Sequence, residues 1–219
     1  MKKILYLSIA VFITVFMVGC SLLPSSKNID VPFTSQAPAG NWSEPWKNAC
    51  EETSIYMVSS FYADDTIKRA EAIERIKEII AAKNAEFQIS KDESLQKISE
   101  LIMLLGLPWE TEIIENPPIE DVKIQLANNQ PIIAPVFAPA LGIAEDGPDY
   151  HVMVITGYDD ATNEFIVNDP ALKNGKGIRF KYDIFMKAIH DLNQTNYKAG
   201  KKALLFTKLK TGTDWFNLN

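Results

Sequence analysis

The run His151-Val152-Met153-Val154-Ile155-Thr156-Gly157-Tyr158 constrains this chain more than any other segment. Its odd and even positions are both apolar, so it cannot be a half-solvated strand and must lie centrally in a sheet covered on both faces. A histidine at the rim of such a strand is held rigidly, and an imidazole titrates near neutral pH. The second histidine, His190, falls in a short late helix and reads as a surface or boundary residue.

The segments around this strand set the fold class. After Gln130, Ile132 to Phe137, Tyr150 to Tyr158, Glu164 to Val167, Ile178 to Tyr182 and Ala203 to Leu209 read as strands, interrupted by a helix over Asp183 to Asp191. The first half is helical. From Cys50 the residues Ile55, Val58, Phe61 and Tyr62 recur at helical spacing, which puts Cys50 in the first turn of a buried helix. Ile67 to Ala82 reads as an amphipathic helix with Ile67, Ala70, Ile73, Ile76 and Ile80 inward and its charges in solvent. A third helix is expected to open at Ser90 with Glu93 completing a capping box and to end near Gly106; a fourth runs from Pro117-Pro118-Ile119 to about Asn129. Ile29 to Phe33 reads as a short edge strand leading into a loop rich in Pro, Gly and Trp. Helices followed by antiparallel strands predict an α+β domain of two lobes, and 219 residues with 47% apolar content suit one compact domain.

The N-terminus is set apart. Met1-Lys2-Lys3 is a basic start, followed by an apolar run from Ile4 to Gly19. That run is somewhat short for an uncleaved membrane helix, which wants about 20 residues. Its end, Met17-Val18-Gly19-Cys20, resembles the lipobox of bacterial lipoproteins rather than a plain secretory cleavage site, with Met17 where Leu is usual. The expected organisation is a signal peptide over 1–19, a lipidated Cys20 with a polar tether over 20–28, a catalytic domain over 29–210 and a tail over 211–219. Localisation follows: exported, and anchored by Cys20 to the outer face of the cell membrane. Without Lys2 and Lys3 the chain carries 20 basic against 28 acidic residues, a net charge near −8, which argues against nucleic acid as a partner and against a basic membrane-binding face.

Two cysteines, one of them the anchor, leave Cys50 without a disulfide partner. An unpaired thiol in an oxidising compartment is either buried or kept for its reactivity. In a first helical turn it would be helped to ionise by unpaired amides and the positive end of the helix dipole. Glu51 and Glu52 act against this unless they point away or are paired. Downstream, the turn-rich Asp159 to Asn163 predicts a hairpin that sets His151 opposite about Pro170, with Asp169 beside it. A carboxylate there can accept the imidazole N–H and fix its tautomer, the orienting role in a nucleophile, base and carboxylate triad. Asp146, Asp149, Asp159 and Asp160 have no regular ligand spacing and one well-placed histidine falls short of a zinc set, so neither metal nor cofactor is expected. Trp42 and Trp46 flank Cys50, as groove walls or as loop packing.

From Val31 to about Phe206 the chain resembles the bacteriocin-leader-processing cysteine peptidases and their bacterial relatives of papain-like fold. The resemblance rests on Val31-Pro32-Phe33-Thr34-Ser35-Gln36, Trp46-Lys47-Asn48-Ala49-Cys50, Tyr150 to Tyr158, and Val167-Asn168-Asp169-Pro170, in that order. It implies a papain-like α+β fold with Cys50, His151 and Asp169 as triad, and Gln36 donating its side-chain amide to the oxyanion beside the Cys50 N–H. The chain departs from the pattern in Glu51-Glu52, where many relatives have Gly-Pro, and in a longer loop from Gln36 to Cys50. The expected activity is hydrolysis of amide bonds in a peptide or protein substrate by a monomer. An amidase or acyl transferase, or a surface binding module without turnover, are the alternatives on the same fold.

Overall fold

The computed structural model describes residues 23–88, 91–143 and 149–210. Among these residues seven strands form one sheet, all neighbours antiparallel: β1 (Ser26–Asn28), β2 (Trp109–Glu115), β3 (Ile132–Phe137), β4 (Tyr150–Asp159), β5 (Glu164–Asn168), β6 (Ile178–Lys181) and β7 (Ala203–Leu209). The order is β2-β7-β3-β4-β5-β6. β4 is the central strand its sequence demands: it is buried from Tyr150 to Tyr158. β3 pairs with its first half, β5 with its second half along the other edge, and β1 with its end, Gly157 to Asp159.

Among the described residues five α-helices accompany the sheet: α1 (Cys50–Tyr62), α2 (Arg69–Phe87), α3 (Leu95–Leu104), α4 (Ile119–Ala127) and α5 (Tyr182–Ala188). α1 packs against β4, and α2 packs on α1. Ten of the 13 residues of α1 are buried, so this helix is enclosed on nearly every side. The α+β architecture is therefore as expected, a helical first lobe against an antiparallel second lobe.

Several boundaries differ, each for a visible reason. The first strand is Ser26–Asn28 rather than Ile29 to Phe33, whose Pro32 breaks the run. The tether expected over 20–28 is thus partly knitted into the sheet, because the Tyr158 hydroxyl also donates to the Pro24 carbonyl and the Asp160 amide to that of Ser25. Gly157 is required there, since a β-carbon would collide with the Lys27 carbonyl oxygen. β2 has no counterpart in the sequence reading; its alternating exposure hides only Trp109 fully. α2 turns Ala72, Ile76, Ile79 and Lys83 inward and leaves Ala70 exposed. α3 begins after Ser94, whose side chain accepts the Lys97 amide at 3.5 Å, and not at a Ser90–Glu93 capping box. Ser90, Cys20, the leader over 1–19 and the tail over 211–219 lie outside the described residues. Among those described, no helix is long and apolar enough to cross a membrane.

Candidate active site

Cys50 is the first residue of α1, with Ala49 as a cap that contributes no side-chain hydrogen bond. The helix ladder starts with the Thr53 amide donating to the Ala49 carbonyl at 3.0 Å, so the amides before Thr53 have no partner in the helix. Cys50 is 4% exposed. Its sulfur faces the backbone N–H of Val152, one residue beyond His151 on β4. The α1–β4 packing thereby carries the thiol to the strand that holds the imidazole.

His151 and Asp169 meet across the β4–β5 hairpin. Nε2 of His151 lies 2.7 Å from Asp169 Oδ1, with both side chains buried. The hairpin register shifts by one residue between Ile155 and Gly157, which makes Val154 face Asn168 and sets Asp169 diagonally from His151. Asp169 is fixed from its own side: Oδ1 also accepts the Ala171 amide at 2.9 Å, and the Asp169 amide donates to the Gly175 carbonyl. With Nε2 committed to the carboxylate, Nδ1 is the ring nitrogen left to exchange a proton with another group.

Gln36 sits beside this assembly, but its amide nitrogen is turned away from an oxyanion role. Nε2 donates to the carbonyls of Trp46 at 2.9 Å and Lys47 at 3.0 Å, which occupies both protons. In this arrangement Gln36 braces the turn leading into Cys50. Of the flanking tryptophans, Trp46 is buried in the core and Trp42 is exposed. Phe33, Ser35, Ala37, Trp42 and Lys173 line a cleft of about 560 Å³ on the Gln36 side.

The two glutamates after Cys50 have different fates. Glu52 points away and pairs with Lys83 at 2.6 Å, both side chains buried. Glu51 turns back: the Cys50 thiol donates to its Oε2 at 3.1 Å, while the Glu93 amide donates to its Oε1 at 2.9 Å. Asp92 and Glu93, in the loop before α3, and Tyr150, whose hydroxyl donates to the Glu93 carbonyl, complete the surroundings. Burial, and then the charges of Glu52 and Asp92, push the Glu51 carboxyl up to about 8. Burial pushes Glu93 to about 7. The thiol itself is pushed up, by burial first and by Glu51 second, while the Val152 amide works in the opposite direction.

Lys83, Asp92 and Glu93 are the members of this cluster that the sequence reading missed. Lys83 was legible: it lies seven residues after Ile76 and three after Ile80, on the apolar side of α2, where a lysine needs a buried partner. Glu93 was assigned to a helix cap, and no local signal ties its amide to a residue 42 positions earlier. Among the described residues, no group of His, Cys, Asp and Glu converges as a metal site.

Comparison with known proteins gives a consistent picture. The model of the Peptidase_C39 like family matches residues 28–202. Among solved structures, a Bacillus anthracis protein assigned as a C39-like peptidase is 19% identical, with a TM-score of 0.55 over 84% of this chain and 99% of the other. Xylellain, a cysteine protease from Xylella fastidiosa, is 11% identical with a TM-score of 0.50, covering 87% of each chain. A search of curated proteins finds no match.

Proposed function

The chain belongs to the Peptidase_C39 like family and is a cysteine peptidase, and from that premise we propose that Cys50, His151 and Asp169 form its catalytic triad. The observation that supports this is the convergence of three sequence-distant elements: the sulfur at the start of α1 against β4, His151 on that strand, and Asp169 at 2.7 Å from its Nε2. His151 takes the Cys50 proton on Nδ1 and the thiolate attacks the scissile carbonyl carbon. The carbonyl oxygen becomes an oxyanion beside the Cys50 amide at the helix start. His151 returns the proton to the leaving amine, and water then cleaves the thioester with the same base. Asp169 keeps the imidazole in the required tautomer. Gln36 joins the oxyanion site only by releasing Trp46 or Lys47, so its resting contribution is to hold the Cys50 turn.

The proposal extends to location: an exported enzyme attached through a lipid on Cys20 to the outer face of the cell membrane, acting as a monomer on peptide or protein substrates. The lipobox-like Met17 to Cys20 supports the attachment. The test is cleavage of a quenched-fluorescent peptide library by the full chain and by Cys50→Ala and His151→Ala. Both variants are expected to lose roughly 10³-fold or more in rate with the fold intact. Undiminished cleavage by Cys50→Ala would rule the mechanism out.

A further inference from the structure

The hydrogen bond between Cys50 and Glu51 has two possible directions. With Glu51 ionised, the thiol donates and is held neutral, a poor nucleophile. With Glu51 protonated, the carboxyl donates to the sulfur and stabilises the thiolate. Which oxygen carries that proton is fixed by the backbone: Oε1 accepts the Glu93 amide at 2.9 Å, so the proton sits on Oε2, the oxygen 3.1 Å from the sulfur.

We propose that Glu51 is a further catalytic residue, which in its carboxylic acid form donates a hydrogen bond from Oε2 to the Cys50 thiolate and in its ionised form silences the thiol. The proposal rests on Cys50 being the nucleophile. The protons balance without any other reactant: the thiol proton moves to His151 Nδ1, and Glu51 keeps its own throughout.

The surroundings favour the acid form. Glu51 is 1% exposed and is faced by Cys50 and Glu52 from α1, Lys83 from α2, Asp92 and Glu93 from the loop before α3, and Tyr150 from β4, while His151 acts on the neighbouring Asp92. Lys83 is paired with Glu52 and also donates to the Lys91 carbonyl, so Glu51 shares that cation rather than pairing with it directly, and burial and the neighbouring carboxylates outweigh it. A buried carboxyl among like charges takes up a proton. The value of about 8 places this proton on Glu51 at neutral pH. Because the supporting form is the protonated one, its contribution is present below that value and lost as pH rises through it.

The test is the Glu51→Gln variant beside Glu51→Ala. In Glu51→Gln the amide oxygen keeps the Glu93 N–H, and the amide nitrogen stands where Oε2 stood as a permanent donor. Iodoacetamide alkylation of Cys50 should show a midpoint close to wild type in Glu51→Gln, whose amide reproduces the donating acid, and roughly one pH unit or more higher in Glu51→Ala, which has no donor. The fall of wild-type kcat/KM above about pH 8 should move to higher pH, and Glu51→Ala should lose roughly tenfold or more in kcat at neutral pH. An alkylation midpoint unchanged in Glu51→Ala, or raised as far in Glu51→Gln as in Glu51→Ala, with native circular dichroism spectra, overturns the proposal. If Glu51→Gln does not fold, infrared difference spectra of the wild type before and after alkylation decide: a carboxylic acid band that responds to alkylation supports Glu51, and its absence overturns it. A wild type without thiol-dependent hydrolysis refutes the triad instead, a result distinguishable from active enzyme that is indifferent to Glu51.

Discussion

Replacing Lys83 by methionine tests the buried charge arrangement behind Cys50. The stem is roughly preserved, but Glu52, 0% exposed, loses its partner at 2.6 Å, and the Lys91 carbonyl loses a donor at 3.0 Å. Removing one member of a buried ion pair costs about 3–5 kcal/mol. The chain can limit that cost by protonating Glu52. Against an unperturbed pKa of about 4.3, protonation costs about 1.4 kcal/mol per pH unit, roughly 3.7 kcal/mol at pH 7 and about 1 at pH 5. Adding about 1 kcal/mol for the lost hydrogen bond gives a destabilisation of about 4–5 kcal/mol at pH 7 and about 2 at pH 5. The sign follows from linkage: a carboxyl whose folded-state pKa is raised binds its proton more tightly in the native state, so the variant's stability falls as pH rises from the unfolded value. Glu51, which also leans on Lys83, adds a slope of the same sign. Urea unfolding of both proteins at the two pH values is the assay, with Lys83→Met/Glu52→Gln expected to remove most of the pH dependence. A loss under about 1 kcal/mol at pH 7, or one independent of pH, would refute the reasoning.

Two further outcomes are expected. Asp169→Ala removes the acceptor of His151 Nε2 and of the Ala171 amide; steady-state kinetics should show kcat down by roughly 10²–10⁴ with KM little changed, and a drop within about threefold would contradict the orienting role. Gly157→Ala forces a β-carbon against the Lys27 carbonyl; unfolding should show about 1–3 kcal/mol lost, with residues 24–28 newly open to limited proteolysis, and continued protection of that segment would contradict the packing.

What the sequence disclosed about this molecule follows the range of the interactions involved. β4 was legible because a strand apolar on both faces has few places to go. The Asp169 position followed from counting across a short hairpin, and the one-residue bulge near Thr156 did not disturb it because a diagonal neighbour is still within reach. Cys50 at a helix start was read from the periodicity behind it. Long-range polar contacts were not legible. Nothing local to Glu51 says whether it faces the sulfur or solvent, since that depends on the Glu93 amide arriving from another loop. Gln36 shows the same limit: its place in the chain pointed to an oxyanion donor, whereas its protons are taken by carbonyls at 46 and 47. β2 escaped because a strand with little buried surface leaves a weak pattern.

The docking of β1 on the far end of β4 bears on where this peptidase finds its substrates. With attachment at Cys20, only about four residues separate the lipid from Pro24, a leash of roughly 14 Å at full stretch. β1 meets β4 at Gly157 to Asp159, whereas His151 lies six to eight residues back along the same strand, roughly 20–26 Å away. On that proposed attachment, the leash and the His151 imidazole would lie at opposite ends of β4. An enzyme so attached would have a fixed root and a remote working tip, and it would draw on chains that approach from the surrounding medium rather than on segments emerging from the bilayer at its foot.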